Sequence, residues 1–175
     1  DILLVPYALG QDVKFIKNKG PVLSDININQ FLENKEDELT TKLNPIYQSI
    51  KITRKKLEKE KSLISFVGAP WTLLVYMLGL KKEKNKINLS KIKNQKENIH
   101  EIINKLTTHL CLHIENQIKA GADLVQIFDS WAGLIPADDL ESLCYVPNLK
   151  LVNFCKEKKI PVICFPKGIK ENYIN

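Results

Sequence analysis

The sequence predicts a parallel α/β fold, and three observations carry that expectation. Short apolar runs alternate with longer stretches of helical periodicity, and no segment repeats. Two of those runs, Leu63–Val67 and Leu124–Phe128, suit strands covered on both faces. Each is followed at its carboxyl end by a loop rich in chemistry-bearing or backbone-permissive residues. One reads Gly68-Ala69-Pro70-Trp71-Thr72 and the other Asp129-Ser130-Trp131-Ala132-Gly133. In parallel sheets and barrels that is the end where side chains do chemistry.

Taken in order, Asp1–Val5 reads as the first strand. Pro6 and Gly10 punctuate a loop, and Val13–Ile16 reads as part of a hairpin turning at Asn18-Lys19-Gly20. Ile26–Leu32 suits a short helix. A longer helix is expected from Asn44-Pro45, with Ile46, Ile50, Thr53 and Leu57 on its inner face. After the second strand, Pro70 suits a helical first turn, and Trp71–Leu80 is apolar nearly all round, as a buried helix is. Gly79 ends it. Residues 81–98 read as a lysine- and asparagine-rich surface loop. Ile99–Ile118 is the clearest amphipathic helix, its stripe formed by Ile99, Ile102, Ile103, Leu106, Leu110, Ile114 and Ile118. Gly121 falls where a left-handed residue closes such a helix, and the strand Leu124–Phe128 follows. Pro136 is expected to open another helix with Asp138, Asp139 and Glu141 near its start, and Pro147 to break or kink it. Pro161–Phe165 reads as the fourth strand, with Gly168 beginning a loop.

Charge and cysteines narrow the function classes. The formal net charge is +6, and residues 81–105 hold eight lysines against three glutamates, so one segment supplies nearly all of it. That segment has no aromatic residue, and Arg54 is the only arginine in the chain. A solvated loop is expected, not a nucleic-acid surface. Cys111, Cys144, Cys155 and Cys164 form no CxxC pair and read as reduced structural thiols. No membrane span is expected, because Leu63–Leu80 is interrupted by Ser65, Gly68, Pro70 and Thr72. His109 and His113 share a helix face, but Cys111 points about 160° away from His113 at helical spacing, and no third ligand stands near in sequence. No metal site is expected.

Phe66-Val67-Gly68-Ala69-Pro70-Trp71-Thr72-Leu73 and Gln126-Ile127-Phe128-Asp129-Ser130-Trp131-Ala132-Gly133 resemble the uroporphyrinogen decarboxylase family. Asp1-Ile2-Leu3-Leu4-Val5-Pro6, Ala8-Leu9-Gly10 and Gly20-Pro21 match that family's early strand and loop, in the right order. The resemblance implies a (β/α)8 TIM barrel, of which residues 1–175 would be about half, as β-α-β-α-β-α-β, truncated at both ends. It implies decarboxylation of the four acetate arms of uroporphyrinogen III to give coproporphyrinogen III in haem biosynthesis. The family works without metal or cofactor, because the protonated pyrrole itself accepts the electrons that pyridoxal or thiamine would otherwise take. A tetrapyrrole substrate, a homodimer and a cytoplasmic or plastid-type location follow from the same resemblance.

It also names site residues. Asp1 matches the carboxylate that accepts the pyrrole N–H bonds and stabilises the cation. Tyr76 matches a phenol that hydrogen-bonds a substrate carboxylate, Ser130 a hydroxyl doing the same, and Phe66 a ring lining the cavity. Asp1 and Tyr76 are the catalytic expectations, with Phe66 and Ser130 binding substrate. Without the resemblance, Tyr76 and Phe66 read equally as core residues, Asp129 and Ser130 as helix caps, and Asp1 as a charged terminus. Trp71 and Trp131 are expected to support the site by packing. The family's arginine pair and C-terminal histidine match nothing in these residues. Two other readings stand beside this one: a zinc-dependent methyltransferase of corrinoids or thiols on the same fold, and a basic binding module built on residues 81–105.

Overall fold

The computed structural model describes residues 1–18, 20–82, 86–88, 90 and 96–169. In chain order the elements are α1 (Leu4–Ala8), β1 (Val13–Ile16), β2 (Gly20–Leu23), α2 (Ile28–Glu33), α3 (Glu36–Lys56), β3 (Ile64–Gly68) and α4 (Pro70–Met77). Then come β4 (Lys81–Lys82), β5 (Lys86–Ile87), α5 (Lys96–Lys119), β6 (Leu124–Asp129), α6 (Val146–Glu157) and β7 (Val162–Pro166). Between β6 and α6 the chain makes 3-10 turns at Ala132–Leu134 and Ala137–Asp139 and a π turn at Glu141–Tyr145.

Strands β3, β6 and β7 form one parallel sheet in that spatial order. Val67 stands opposite Ile127, and Ile127 opposite Cys164. Strand alternation sends Ser65, Val67, Val125, Ile127 and Asp129 to one face, where α4 and α5 pack and all five are buried. The stripe read on α5 meets that face. Ile99, Ile102, Ile103, Leu106, Leu110 and Ile114 are each at most 2% exposed, and burying a side chain of this size contributes roughly 1.5–3 kcal/mol. Gly121 ends α5 with φ +113°, and a Cβ there would press on Arg54. Arg54 in turn binds Asp123 at 2.9 Å and the carbonyls of Leu57, Glu58 and Lys61, so the single arginine ties the α3–β3 loop to the start of β6. No helix among the described residues is long and apolar enough to cross a membrane.

Several local expectations are corrected. Asp1–Val5 is not a strand: Asp1 Oδ1 accepts the Leu3 N–H at 2.9 Å and the chain turns into α1. Pro6 lies early in α1, where a missing N–H costs nothing, and Val5 with Leu9 is an i, i+4 pair that buries one side of the turn. The parallel sheet of the described residues therefore has three strands, not four. Helix α3 starts at Glu36, not at Pro45, which lies inside it. Its inner face is Leu39, Leu43 and Tyr47, whereas Ile46, Ile50 and Leu57 are half-buried and Thr53 is exposed. Pro45 is tolerated because Thr41, whose carbonyl loses its helical partner, faces solvent. The helix expected after Pro136 is present but irregular: a helical run from Ala137 passes through the 3-10 turn and the π turn at Glu141–Tyr145 into α6 and ends at Glu157. The break expected at Pro147 is this change from π to α geometry, which places Pro147 in the first turn of α6. The hairpin at Asn18–Gly20 is present as β1 and β2 in antiparallel pairing, Lys19 lying outside the described residues. Within the lysine-rich segment, β4 and β5 pair as a short antiparallel hairpin instead of a plain loop. Residues 83–85, 89 and 91–95 of that segment lie outside the described residues.

Candidate active site

Two β-strands deliver their carboxyl ends to the same place. Gly68, the last residue of β3, has no room for a side chain: a Cβ would meet Leu73 and would stand 3.2 Å from Ile2 Cβ. Ala69 N–H continues the pairing by donating to Phe128 O at 2.9 Å, and α4 starts at Pro70. Beside it, β6 ends in Asp129, which alternation turns toward the helices and which is 1% exposed. Its carboxylate accepts three bonds, from Thr72 Oγ1 at 2.8 Å, Asn148 Nδ2 at 3.0 Å and Cys144 Sγ at 3.2 Å. Burial pushes the Asp129 carboxyl above its usual range, and the three donors oppose that rise without cancelling it. Burial first, and then the neighbouring carboxylate, likewise push the Cys144 thiol far up. Thr72 is a junction, because its Oγ1 also accepts the Trp131 backbone N–H at 3.2 Å. Trp71 completes the brace by donating its indole N–H to Trp131 O at 3.0 Å.

The sheet's other face is largely uncovered and mostly apolar, with Gln126 of β6 standing between Phe66 and Ile163. Phe66 and Phe128 meet edge to face at 5.8 Å, and Phe128 and Phe165 at 6.0 Å, so three rings cross the three strands. Phe66 and Phe165 are 41% and 46% exposed, with Ile64 and Ile163 equally uncovered beside them. Exposed rings in a continuous patch mark a surface that something else covers. A cavity of about 330 Å³ lies behind the sheet edge, between α6 and β6–β7, lined by Ile127, Asp129, Asn148, Val152 and Cys164. Phe165 and Pro166 also line it, so it reaches the edge of the aromatic stripe.

Of the four residues expected from sequence, Ser130 directly follows β6 and Phe66 belongs to the aromatic stripe. Tyr76, half-buried on α4, packs its ring edge-on to Trp131 at 6.2 Å, and Lys81 Nζ lies 5.9 Å from the same indole. Phe66 touches Phe128 and Tyr76 touches Trp131, the residues on either side of the Asp129–Ser130 turn. Asp1 lies next to Ile2, which packs over Gly68, but its carboxylate is turned to its own chain and accepts the Leu3 N–H.

His109 and His113 serve the core. His109 Nδ1 lies 2.9 Å from Lys105 O, and burial chiefly lowers its pKa. His113 bridges Tyr47 Oη at 3.0 Å and Gln117 Nε2 at 3.1 Å, and burial holds its pKa down at about 4. Gln117 also reaches Phe66 O at 3.3 Å, so this chain of polar groups ends on the back of β3. No cluster of three or more His, Cys, Asp or Glu residues suited to a metal ion occurs among the described residues. Sequence reasoning missed the partners of Asp129 and the rings of Phe128 and Phe165. The signals were there: Cys144 and Asn148 are four apart on one helical face, and an aromatic residue stands near the carboxyl end of all three strands.

The fold is that of a parallel α/β protein, and this cluster lies at the carboxyl ends of its strands. The same fold is seen in a methyltransferase from Methanosarcina mazei, with a TM-score of 0.72, 16% identity, and coverage of 94% of this chain and 48% of that one. That likeness carries the fold alone. The uroporphyrinogen decarboxylase (URO-D) family model matches residues 1–174. The uroporphyrinogen decarboxylase of Orientia tsutsugamushi (strain Ikeda) is 44% identical over 176 residues, covering 99% of this chain and 51% of that protein. That of Campylobacter jejuni (serotype O:6, strain 81116) is 44% identical over 174 residues, covering 97% and 51%. The chain belongs to the uroporphyrinogen decarboxylase family. It spans about half the length of the curated relatives it matches.

Proposed function

We propose that the full-length protein decarboxylates the acetate arms of uroporphyrinogen to give coproporphyrinogen in porphyrin biosynthesis. The observation that carries this reading is the family match along essentially the whole chain, at 44% identity to proteins of that name. The three-stranded sheet is then an arc of a (β/α)8 barrel with its aromatic face turned inward. Phe66, with Phe128 and Phe165, supplies an apolar wall for the macrocycle.

On this reading the reacting pyrrole is protonated on its α-carbon. The bond between the acetate methylene and its carboxylate breaks, carbon dioxide leaves, and the electron pair neutralises the cationic ring as an exocyclic methylene. A proton then adds to that methylene to give the methyl group, and the α-carbon releases the proton it took up, restoring the pyrrole. Asp1 accepts the pyrrole N–H bonds and its negative charge stabilises the cation. Tyr76 and Ser130 donate O–H bonds to substrate carboxylates, fixing which arm reacts. The family works as a homodimer in the cytosol or a plastid, and we extend both properties to this protein.

The deciding experiment incubates the purified full-length protein with uroporphyrinogen III under reducing, anaerobic conditions and follows the loss of carboxyl groups chromatographically. Stepwise appearance of products with seven, six, five and four carboxyls is expected. No consumption of substrate by folded protein overturns the proposal. The methyltransferase reading has only the shared fold behind it, and the basic-module reading only the charge of residues 81–105.

A further inference from the structure

The cluster around Asp129 has a chemical asymmetry that the proposed reaction leaves unused. Three donors converge on one buried carboxylate, and they come from three separate elements: Thr72 from α4, Cys144 from the π turn and Asn148 from α6. A deprotonated carboxylate is the side chain that accepts from all of them at once. An amide of the same size has one acceptor oxygen and two N–H groups, so one or more donors would face another donor. The chain of bonds also has a direction. Because the Thr72 hydroxyl gives its proton to Asp129, its oxygen lone pairs are free for the Trp131 N–H. That bond fixes the backbone immediately after Ser130. The turn is held from the other side as well, since Lys167 N–H donates to Asp129 O and Gly133 N–H to Lys167 O, each at 3.0 Å. A Cβ on Gly133 would collide with the backbone of Gly168, so the loop is packed against its neighbour without slack.

We propose that Asp129 is a positioning residue: through Thr72 it sets the Trp131 backbone and thereby aims the Ser130 hydroxyl toward the open end of the sheet. This rests on the decarboxylase reading above, in which Ser130 holds a substrate carboxylate. Asp129 faces the helices, not the open face, and acts only through the loop.

The test is a double-mutant cycle in the full-length protein, with kcat and KM for uroporphyrinogen measured separately and folding followed by thermal denaturation. Thr72→Val keeps the side chain's shape but removes both of its hydrogen bonds, and it lowers kcat/KM about tenfold. Thr72→Ser keeps the hydroxyl and stays within about threefold of wild type. Asp129→Asn lowers kcat/KM at least as far as Thr72→Val. Combining Thr72→Val with Ser130→Ala costs no more than about threefold beyond the worse single variant, since both act through one hydroxyl. A roughly hundredfold product of independent effects overturns the inference, as does a Thr72→Val protein that folds and turns over like wild type. If Asp129→Asn fails to fold, the Thr72 arm of the cycle decides alone. A wild-type protein inactive on uroporphyrinogen is a different failure, that of the decarboxylase reading itself.

Discussion

The two faces of the three-stranded sheet are built from the same kinds of residue and treated in opposite ways. On the covered face Val67, Val125 and Ile127 are at most 2% exposed beneath α4 and α5. On the open face Phe66, Ile163 and Phe165 are no less apolar but remain more than two-fifths exposed. Hydrophobicity alone therefore does not say which side of a parallel strand is core. The difference lies in the partners. The covered face meets helices with matching stripes and buried polar braces, at Asp129 and at His113–Gln117, whereas the open face carries a row of rings with no helix over it among the described residues. One face should govern stability and the other ligand binding, and substitutions can separate the two.

The largest effect is expected where the open end would carry charge. In the full-length protein, Asp1→Asn should leave the fold and much of the substrate affinity intact and lower turnover by about three orders of magnitude. A unit charge about 4 Å from a developing cation, at an effective dielectric of ~20, is worth roughly 4 kcal/mol. At ~1.36 kcal/mol per decade this gives the expected loss. Single-turnover decarboxylation is the measurement, and a rate within tenfold of wild type would remove Asp1 from the mechanism.

On the covered face the expected signature is reversed. Ile127→Ala should lower the stability of the full-length protein by about 2–5 kcal/mol, the usual cost of truncating a fully buried isoleucine. KM should change little in molecules that remain folded. Urea denaturation with activity assayed on the same samples would show it. Unchanged stability would mean that the α5 side is not the core-bearing face.

Much of this division was legible in the sequence, and the reasons for the misses are specific. The α5 stripe, the left-handed Gly121 and the two strands flanking it were readable, because period and glycine chemistry are local properties. The first five residues were misread as a strand because Leu3, Val5 and Leu9 are apolar at a spacing that a short run cannot assign to strand or helix. Pro45 was given too much weight as a helix boundary. Its cost depends on whether the orphaned carbonyl meets water, and only the fold settles that. The site expectations came from motif resemblance, which places Phe66, Tyr76 and Ser130 in sequence but says nothing of what braces them. Asp129 looked like a cap because its partners Cys144 and Asn148 are contributed by a turn and helix well downstream.

Acid should probe the covered face more gently. The folded state holds His113 neutral down to about pH 4, against an ordinary value of 6.5, chiefly through burial. A lowered histidine pKa means that the unfolded chain binds the proton first. The stabilisation is complete above pH 6.5, declines as pH falls towards 4, and is then exhausted. The shift corresponds to about 3 kcal/mol at most. Full-length His113→Gln should be less stable at pH 7 but show a shallower loss between pH 6.5 and 4 than wild type in chemical denaturation. Parallel curves would assign the acid sensitivity to other groups.

The smallest stability effect should come from the open face, and it is the sharpest test of the contrast. Phe165→Ala removes a ring that is 46% exposed and meets Phe128 edge to face. An edge-to-face pair is worth ~0.5–1.5 kcal/mol beyond its buried area, and a half-exposed ring loses about half of the ~1.5–3 kcal/mol that full burial contributes. The full-length variant should therefore be destabilised by about 1–2 kcal/mol, at or below the low end of the Ile127→Ala loss. If the face is the wall of the macrocycle cavity, the same loss appears in binding, as a KM for uroporphyrinogen raised several-fold to about tenfold with kcat nearly unchanged. A stability loss as large as that of Ile127→Ala would mean that protein, not substrate, fills the inner face. Equal stability with an unaltered KM would leave the ring outside the cavity and confine the substrate to the end of the sheet marked by Phe66, Tyr76 and Ser130.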